Sequence, residues 1–542
     1  MPIHTWLSSS LERYYPSSPQ KKCPELAIDI ALNERFSFQL IVRNEVKLDE
    51  EPVRDDPVAI SVRAEAPDGW DIRIRRVGYV PMLHRNTGAN EEDADGLGMI
   101  PGYVPDPLFD ESSMSIPANE THSFWFSVKP PPGVKHGVFA IAAIVSISGQ
   151  SEQTRTLNAS LYDVVIADRH NFHVTNWFYN DALLDFYGCM AFDETYWKVL
   201  PKYLDNMVSH GQDMIYVPVF TPSLDGVKRP TQLLIVSRKG RDKYQFDWRD
   251  VKRYVSLAKK SGIKKFEWSH LFTQWGVKNA IRIYQGQGID EKLLWKPETV
   301  ATSTIYRRFL SQFLPEFHEF LKSEHLLFNS FFHLSDEPHG EEHMENYRKV
   351  RELIRELAPW MKVMDALSEI QFAKEGLTDI PVPSISTAIG FVNDGIPCWC
   401  YYCCGPRGRS IQRLMDTPLA KIRMNGWLFY RWPFQGFLHW GYNYWYQSQT
   451  SNKIDPFVIQ DGLMWPAWAY GDCFMVYPGK NGPLDSIRWE VFSESLQDYA
   501  LLQTLGITRS SLSELRSFED YPKSSEWIAK MRKSILSGKT KK

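Results

Sequence analysis

Residues 326–338 read Leu-Leu-Phe-Asn-Ser-Phe-Phe-His-Leu-Ser-Asp-Glu-Pro, an apolar run that ends on Asp336, Glu337 and Pro338. The run reads as a buried strand, short and bounded by polar residues. Two adjacent carboxylates at the exit of such a strand are costly to place. Desolvation and mutual repulsion push their pKa values apart, so one can stay protonated while the other stays charged. Pro338 biases the residue before it to extended geometry, which would hold Glu337 at the strand end and keep it out of the next helix. The same pair could also be acids at a helix N-terminus, placed there for dipole and capping reasons.

Working outward, the chain after about residue 170 alternates apolar strands with amphipathic helices. Strands are expected at 174–178, 213–219, 264–270, 326–334, 362–366, 382–385, 397–403 and 437–444, with helices at 194–209, 248–261, 304–323, 341–358 and 409–424. Eight such units predict a (β/α)8 TIM-type barrel over 169–508, closed by a helix near 487–505, with Asp336 and Glu337 at the exit of its fourth strand. A doubly wound sheet is the alternative, but no G-x-G-x-x-G or Walker motif follows a strand. Before residue 168 the pattern is short alternating strands (36–42, 58–64, 72–79, 123–128, 138–145, 156–165) separated by turn residues. That predicts an N-terminal antiparallel β-sandwich over 1–168, with residues 91–102 as an exposed loop. Residues 509–542 read as a short helical C-terminal tail whose basic end, Lys539-Thr540-Lys541-Lys542, frays.

A chain of 542 residues is too long for one core. Its formal charge of -3 gives no electrostatic reason to expect nucleic acid or an anionic membrane as partner. Aromatic residues make up 14%, with 19 Trp and 25 Tyr, and large aromatic faces suit stacking on sugar rings as well as filling big cores. The start of the chain lacks the basic and apolar regions of a signal peptide, and the longest apolar stretch, 138–145, is far below the roughly 20 residues that span a bilayer. A soluble, cytoplasmic enzyme without a membrane span is expected. Seven cysteines, an odd number, fit free thiols in a reducing compartment. Cys398, Cys400, Cys403 and Cys404 lack paired C-x-x-C knuckles and His partners, so they read as small buried residues of a strand over 396–404. No metal and no cofactor is expected.

Residues that act in a barrel sit where strands exit. Here the exits carry Asn180 and Asp181, then His270 and Trp275, then Tyr401 and Tyr402, then Trp440, Tyr442, Asn443 and Trp445. Such a set beside one carboxylate pair suits a neutral polyhydroxylated substrate. It suits phosphate poorly, because no glycine cradle or Arg/Lys cluster accompanies it. Bland readings stand beside these: His270 and His439 as buried histidines bonded to backbone, Trp440 and Trp445 as packing, Glu267 as the partner of a buried cation or hydroxyl. No G-x-S-x-G elbow occurs, and neither a serine hydrolase nor a metallohydrolase is expected.

Four segments together resemble glycoside hydrolase family 123 and the wider domain-of-unknown-function 4091 proteins. They are Ser335-Asp336-Glu337-Pro338, Ser269-His270-Leu271-Phe272-Thr273-Gln274-Trp275-Gly276, Trp440-Gly441-Tyr442-Asn443, and Gly471-Asp472 with Val476-Tyr477-Pro478-Gly479. Phe124-Trp125-Phe126 and Pro132-Gly133 resemble the family's N-terminal sandwich. The resemblance implies an exo-acting retaining β-N-acetylgalactosaminidase whose nucleophile is the substrate's 2-acetamido group. It implies Glu337 as general acid and base, and Asp336 as the group that orients the acetamido N–H. The substrate-binding residues are expected to be Asn180, His270, Trp275, Tyr402, Trp440, Tyr442 and Asn443, and the partner a glycan or glycolipid-derived oligosaccharide. Two other functions fit the residues: a glycosidase for another sugar with Glu267 or Asp365 as nucleophile, set about 5 Å from Glu337, and a non-catalytic carbohydrate-binding protein.

Overall fold

The structure, a computed structural model, describes residues 3–21, 25–46, 57–88, 90–222, 229–240, 242–286 and 292–539. The first two residues, Cys23 and the basic end at 540–542 lie outside the described residues.

The amino-terminal part is two five-stranded sheets packed face to face. One sheet runs Ile3–Ser9, Phe36–Asn44, Thr121–Lys129, Asp71–Met82 and Gly102–Phe109, all antiparallel. The other runs Ala27–Ala31, Gln153–Tyr162, Gly137–Ile147, Val58–Glu65 and Ser113–Ile116. Here the expected antiparallel pattern has one exception, because Ala27–Ala31 pairs in parallel with Gln153–Tyr162. Alternation explains the packing. In Thr121–Lys129, Phe124 and Phe126 point into the sandwich, whereas Trp125 joins the core of the following part. The first sheet is therefore covered on both faces.

The two parts are also joined by buried ion pairs. Arg75 reaches Asp485 at 2.6 Å and Glu490 at 2.7 Å, and Arg488 reaches Asp106 at 2.9 Å, with no solvent exposure at either arginine side chain. Asp485 and Glu490 flank the start of the helix Ile487–Thr504, so the sandwich grips that helix at its first turn.

Eight short strands follow: His173–Asn176, Met214–Val217, Lys265–Trp268, Ser330–Phe332, Met364–Ala366, Ile380–Val382, Cys400–Tyr401 and Gly436–His439. Parallel ladders join the first to the eighth and the eighth to the seventh, the second to the third and the third to the fourth, and the fifth to the sixth. Single parallel bridges, Phe332 to Val363 and Ser384 to Tyr401, extend these runs into a curled parallel sheet. Helices such as Glu194–Ser209, Arg249–Ser261, Thr304–Ser323 and Gly340–Leu357 lie between the strands.

Several expected elements shift. The fourth apolar run opens with a 3-10 turn, Leu327–Asn329, before its strand, and the window at 397–403 yields a strand of only two residues, Cys400–Tyr401. The helix expected at 409–424 begins at Leu419 and runs to Arg431, because Pro418 disfavours helical geometry in the residue before it. Asn180, at the exit of the first strand, opens a helix, Asn180–Phe186. The segment 91–102 is not freely exposed: Lys421 and Lys523 hold the buried Asp93 between them. The tail contributes the helix Ser525–Leu536, whose Arg532 bonds Glu34 of the sandwich and Asp498.

Arg488→Met should leave Asp106 buried with only the Tyr477 hydroxyl as donor. Loss of one member of a buried pair costs about 3–5 kcal/mol. Urea unfolding that shows less than about 1 kcal/mol of destabilisation would mean the pair does not lock the two parts.

Candidate active site

Asp336 and Glu337 follow the fourth parallel strand and line one open cleft of about 650 Å3, part of it open to solvent. Asp336 is 6% exposed, and its Oδ2 accepts a hydrogen bond from Gln274 Nε2 at 2.8 Å. The Trp275 N–H donates to the Asp336 carbonyl at 3.0 Å, which ties the 274–277 loop to the pair. Glu337 accepts from the Tyr401 hydroxyl at 2.6 Å, and its own N–H donates to the Ala366 carbonyl at 2.9 Å. Each carboxylate therefore has its own donor, from a different strand exit. Burial, reinforced by the Glu337 charge, raises the Tyr401 phenol far above its usual range, so Tyr401 stays a donor.

The backbone at Glu337 corrects the expectation of extended geometry. Its φ is +46°, in the left-handed region, despite the proline that follows. Trp275 and Val277 across the cleft are also left-handed, at +52° and +56°. Non-glycine residues held there cost on the order of 1–3 kcal/mol each and persist where surrounding bonds over-determine them.

Those bonds come from a cluster with no exposed side-chain atoms. Asp365, in the fifth strand, accepts from the Leu334 N–H at 3.0 Å, the Ser335 N–H at 3.3 Å and the Tyr347 hydroxyl at 2.5 Å. His333 stands between two carboxylates, with Nδ1 at 3.2 Å from Asp365 and Nε2 at 3.1 Å from Glu267. Glu267 also accepts from the Thr175 hydroxyl at 2.5 Å and the Trp177 indole N–H at 3.3 Å. Burial opposes a charge on His333, but hydrogen bonds to Asp365 and Glu267 outweigh it and push His333 up to about 9. His270 stacks on that ring at 4.5 Å, and burial, then the His333 charge, hold it well below its usual range.

Trp275 and Trp440 line the cleft with the carboxylates, as do Trp177 and Trp468. The Trp440 indole N–H donates to Asp472 at 2.6 Å. The other five residues expected to bind substrate are not among its lining residues. Asn180 accepts from the Tyr196 hydroxyl at 2.5 Å, and Tyr402 donates to Asn425 at 2.8 Å. Tyr442 donates to Asn206 at 2.8 Å, Asn443 pairs with both backbone groups of Tyr179, and His270 meets the Tyr216 hydroxyl at 3.0 Å. Sequence reasoning missed Gln274, Gln449 and Trp468, and weighed Tyr401 but settled on its neighbour. Alternation along the seventh strand was the available signal for Tyr401. Gln449 and Trp468 lie in the long segment after the eighth strand, where no periodicity announces them.

Cys403 and Cys404 also correct an expectation. They lie past the seventh strand and line the cleft, and burial with Asp472 keeps both thiols protonated. Two other groups bring potential metal-ligand atoms together among the described residues: His270, His333 and Asp365, and His210, Asp485 and Glu490. In the first, both ring nitrogens of His333 already face carboxylates, those of Glu267 and Asp365. In the second, Arg75 already supplies the cation. No Lys or Arg is among the described lining residues of the cleft, which leaves a neutral, aromatic surface around two acids.

The model of the glycoside hydrolase 123 catalytic domain matches residues 177–505. The chain belongs to this family. Membership supports glycosidase activity. Among solved structures, a family 123 glycoside hydrolase from Clostridium perfringens, described for glycolipid glycan hydrolysis, superposes with a TM-score of 0.75 at 14% identity, covering 99% of this chain and 98% of that one. A Bacteroides ovatus family 5 xyloglucanase matches over 88% of this chain and 98% of its own at 10% identity, but its TM-score of 0.32 carries no argument. No curated protein matches the sequence. None of the helices among the described residues is long and apolar enough to cross a membrane.

His333 gives a pH prediction. Its raised value means that its stabilisation is fully present below the unfolded value near 6.5 and is lost as pH rises through about 9. Denaturant midpoints should fall across that window in the wild type, and His333→Gln should flatten the fall. An equal fall in both proteins would show that the imidazolium is not its source.

Proposed function

We propose that this family 123 chain is an exo-acting, retaining β-N-acetylgalactosaminidase that uses the substrate's 2-acetamido oxygen as nucleophile. Glu337 gives its proton to the leaving oxygen while the acetamido carbonyl oxygen attacks C1 and the glycosidic bond breaks. Asp336 faces the acetamido N–H and balances the positive charge of the oxazolinium ion. Glu337, now a carboxylate, takes a proton from the water that opens the ring at C1, with net retention.

The observation that carries this reading is the set of acids in the cleft. Among its described lining residues the carboxylates are Asp336 and Glu337, and they are consecutive. A protein nucleophile needs two carboxyl groups about 5 Å apart on opposite sides of the bond. Consecutive residues do not readily straddle C1, but they can serve the leaving group and the acetamido group. Glu267 and Asp365, the rival nucleophiles, have no exposed side-chain atoms and are saturated with donors. Separate donors on Asp336 and Glu337 support separate tasks. The lack of a lining cation and the four lining tryptophans support a neutral sugar. The relative described for glycolipid glycan hydrolysis supports the terminal sugar of such a glycan as substrate class. We also read the curled sheet as a closed (β/α)8 barrel, supported by the Asp213 N–H, which reaches the Val174 carbonyl at 3.3 Å between the first and second strands.

Glu337→Gln should lower turnover by about 10²–10⁴-fold for glycosides with poor leaving groups, and by much less for an activated nitrophenyl glycoside. Equal losses on both would remove Glu337 from the acid role.

A stable thiazoline mimic of the oxazolinium ion should inhibit strongly, because it resembles the state the site stabilises. A 2-deoxy-2-fluoro glycoside should leave no covalent adduct in intact-mass spectra. An adduct on any Asp or Glu would establish a protein nucleophile instead.

A further inference from the structure

Glu267 in the third strand, His333 at the exit of the fourth and Asp365 in the fifth have no exposed side-chain atoms and form one hydrogen-bonded row. His333 lies three residues before Asp336. The protonation of the row follows from its partners. Glu267 Oε1 receives the Trp177 indole N–H, a group that can only donate, and Oε2 receives the Thr175 hydroxyl. Asp365 Oδ1 receives the Leu334 N–H, and Oδ2 receives the Ser335 N–H and the Tyr347 hydroxyl. Both acids are thus acceptors on both oxygens, and each nitrogen of His333 faces one of them. An imidazolium, with two N–H donors, satisfies that arrangement.

We propose that Glu267, His333 and Asp365 form an ionised clamp that positions the cleft. Asp365 fixes the backbone leading into Asp336 and Glu337, Glu267 fixes the Trp177 indole that lines the cleft, and the His333 imidazolium holds the two carboxylates in one geometry. This rests on reading the cleft as a glycosidase site. The three are positioning residues, and none of them lines the cleft. With one positive and two negative charges, the clamp is net negative. That sign favours the oxazolinium cation.

The groups that face His333 are Glu267 from the third strand, Asp365 from the fifth, and His270 and Tyr216 through their rings. Burial holds His270 neutral and Tyr216 protonated, so alkaline titration of the cluster falls to His333, which is pushed up to about 9.

The test compares Asp365→Asn and Glu267→Gln with the wild type on nitrophenyl β-N-acetylgalactosaminide, with near-UV circular dichroism to verify folding. Asp365→Asn should lower kcat by up to about 10²-fold, the scale of a small misplacement, with KM nearly unchanged. Glu267→Gln should also raise KM, because Trp177 loses its anchor. Where a variant does not fold, the wild type decides. Its imidazole ¹H–¹⁵N spectrum at neutral pH should show one histidine with both ring nitrogens protonated, and its kcat should fall as pH rises through about 9 at steady KM. Folded variants with unchanged kcat and KM, or a neutral His333 ring, would overturn the clamp while the glycosidase reading stands. A wild type inactive on every N-acetylhexosaminide and other glycoside tried would sink that reading, and the clamp with it.

Discussion

Asp365 accepts hydrogen bonds from the exit of the fourth strand with both oxygens of its carboxylate. The backbone N–H groups of Leu334 and Ser335 are buried and must find acceptors. They find them on this one side chain, and the Glu337 N–H goes to the carbonyl of the next residue, Ala366. The chain is thereby turned off the sheet within three residues. The left-handed backbone of Glu337 is supported by the same strand end, and removing those bonds would leave it strained with nothing to hold it. The rest of the cleft is arranged around this turn: Trp275 bonds the Asp336 backbone, and Tyr401 bonds the Glu337 side chain.

The opposite wall depends on the sandwich. Asn86, from the sandwich part, bonds Asp416 and both backbone groups of Tyr470. Tyr470 is two residues before Asp472, which accepts from the Trp440 indole, His439 and the Cys404 thiol. Burial works against a charge on Asp472, yet these donors hold its carboxyl below the usual range, so it stays an acceptor. Hydrogen bonds at Tyr470 and Asp472, joined by two residues of backbone, thus connect the sandwich to a tryptophan of the cleft. Gly441 permits this, since a Cβ there would stand 2.4 Å from the Asp472 carbonyl. The ion pairs at Arg75 and Arg488 keep that connection in register by fixing the two parts to each other.

The sequence was legible wherever hydrophobic periodicity set the structure. All eight strand windows after residue 170 contain or meet a parallel strand, and the adjacent carboxylates stand at a strand exit. Most windows were too long because buried residues continue beyond one or both ends of the short strands. Polar exit residues were less legible. Asn180, Tyr402, Tyr442 and Asn443 lie at the exits that were named, but a strand exit has two sides, and composition does not say which side a group faces. Tyr401 and Tyr402 make the point: one bonds Glu337 and its neighbour bonds Asn425. Gln449 and Trp468 sit beyond any pattern, brought in by a long segment whose course is set by tertiary contacts.

The proline rule failed at Glu337, and the failure explains why two neighbours can share a cleft. In an extended strand, consecutive side chains point to opposite faces. Had Glu337 kept the geometry that Pro338 favours, Asp336 and Glu337 would face different environments, and one of them would leave the cleft. A φ of +46° breaks that alternation and lets both line the same space. Most folds that need two acids in one site draw them from different strands, which leaves the backbone relaxed. Here a single strand end carries both, and the strain is concentrated in one residue whose N–H, carboxylate and preceding amides are all tied down. The Asp-Glu-Pro sequence is therefore a conflict between local preference and tertiary demand, and Asp365 is the residue that decides it.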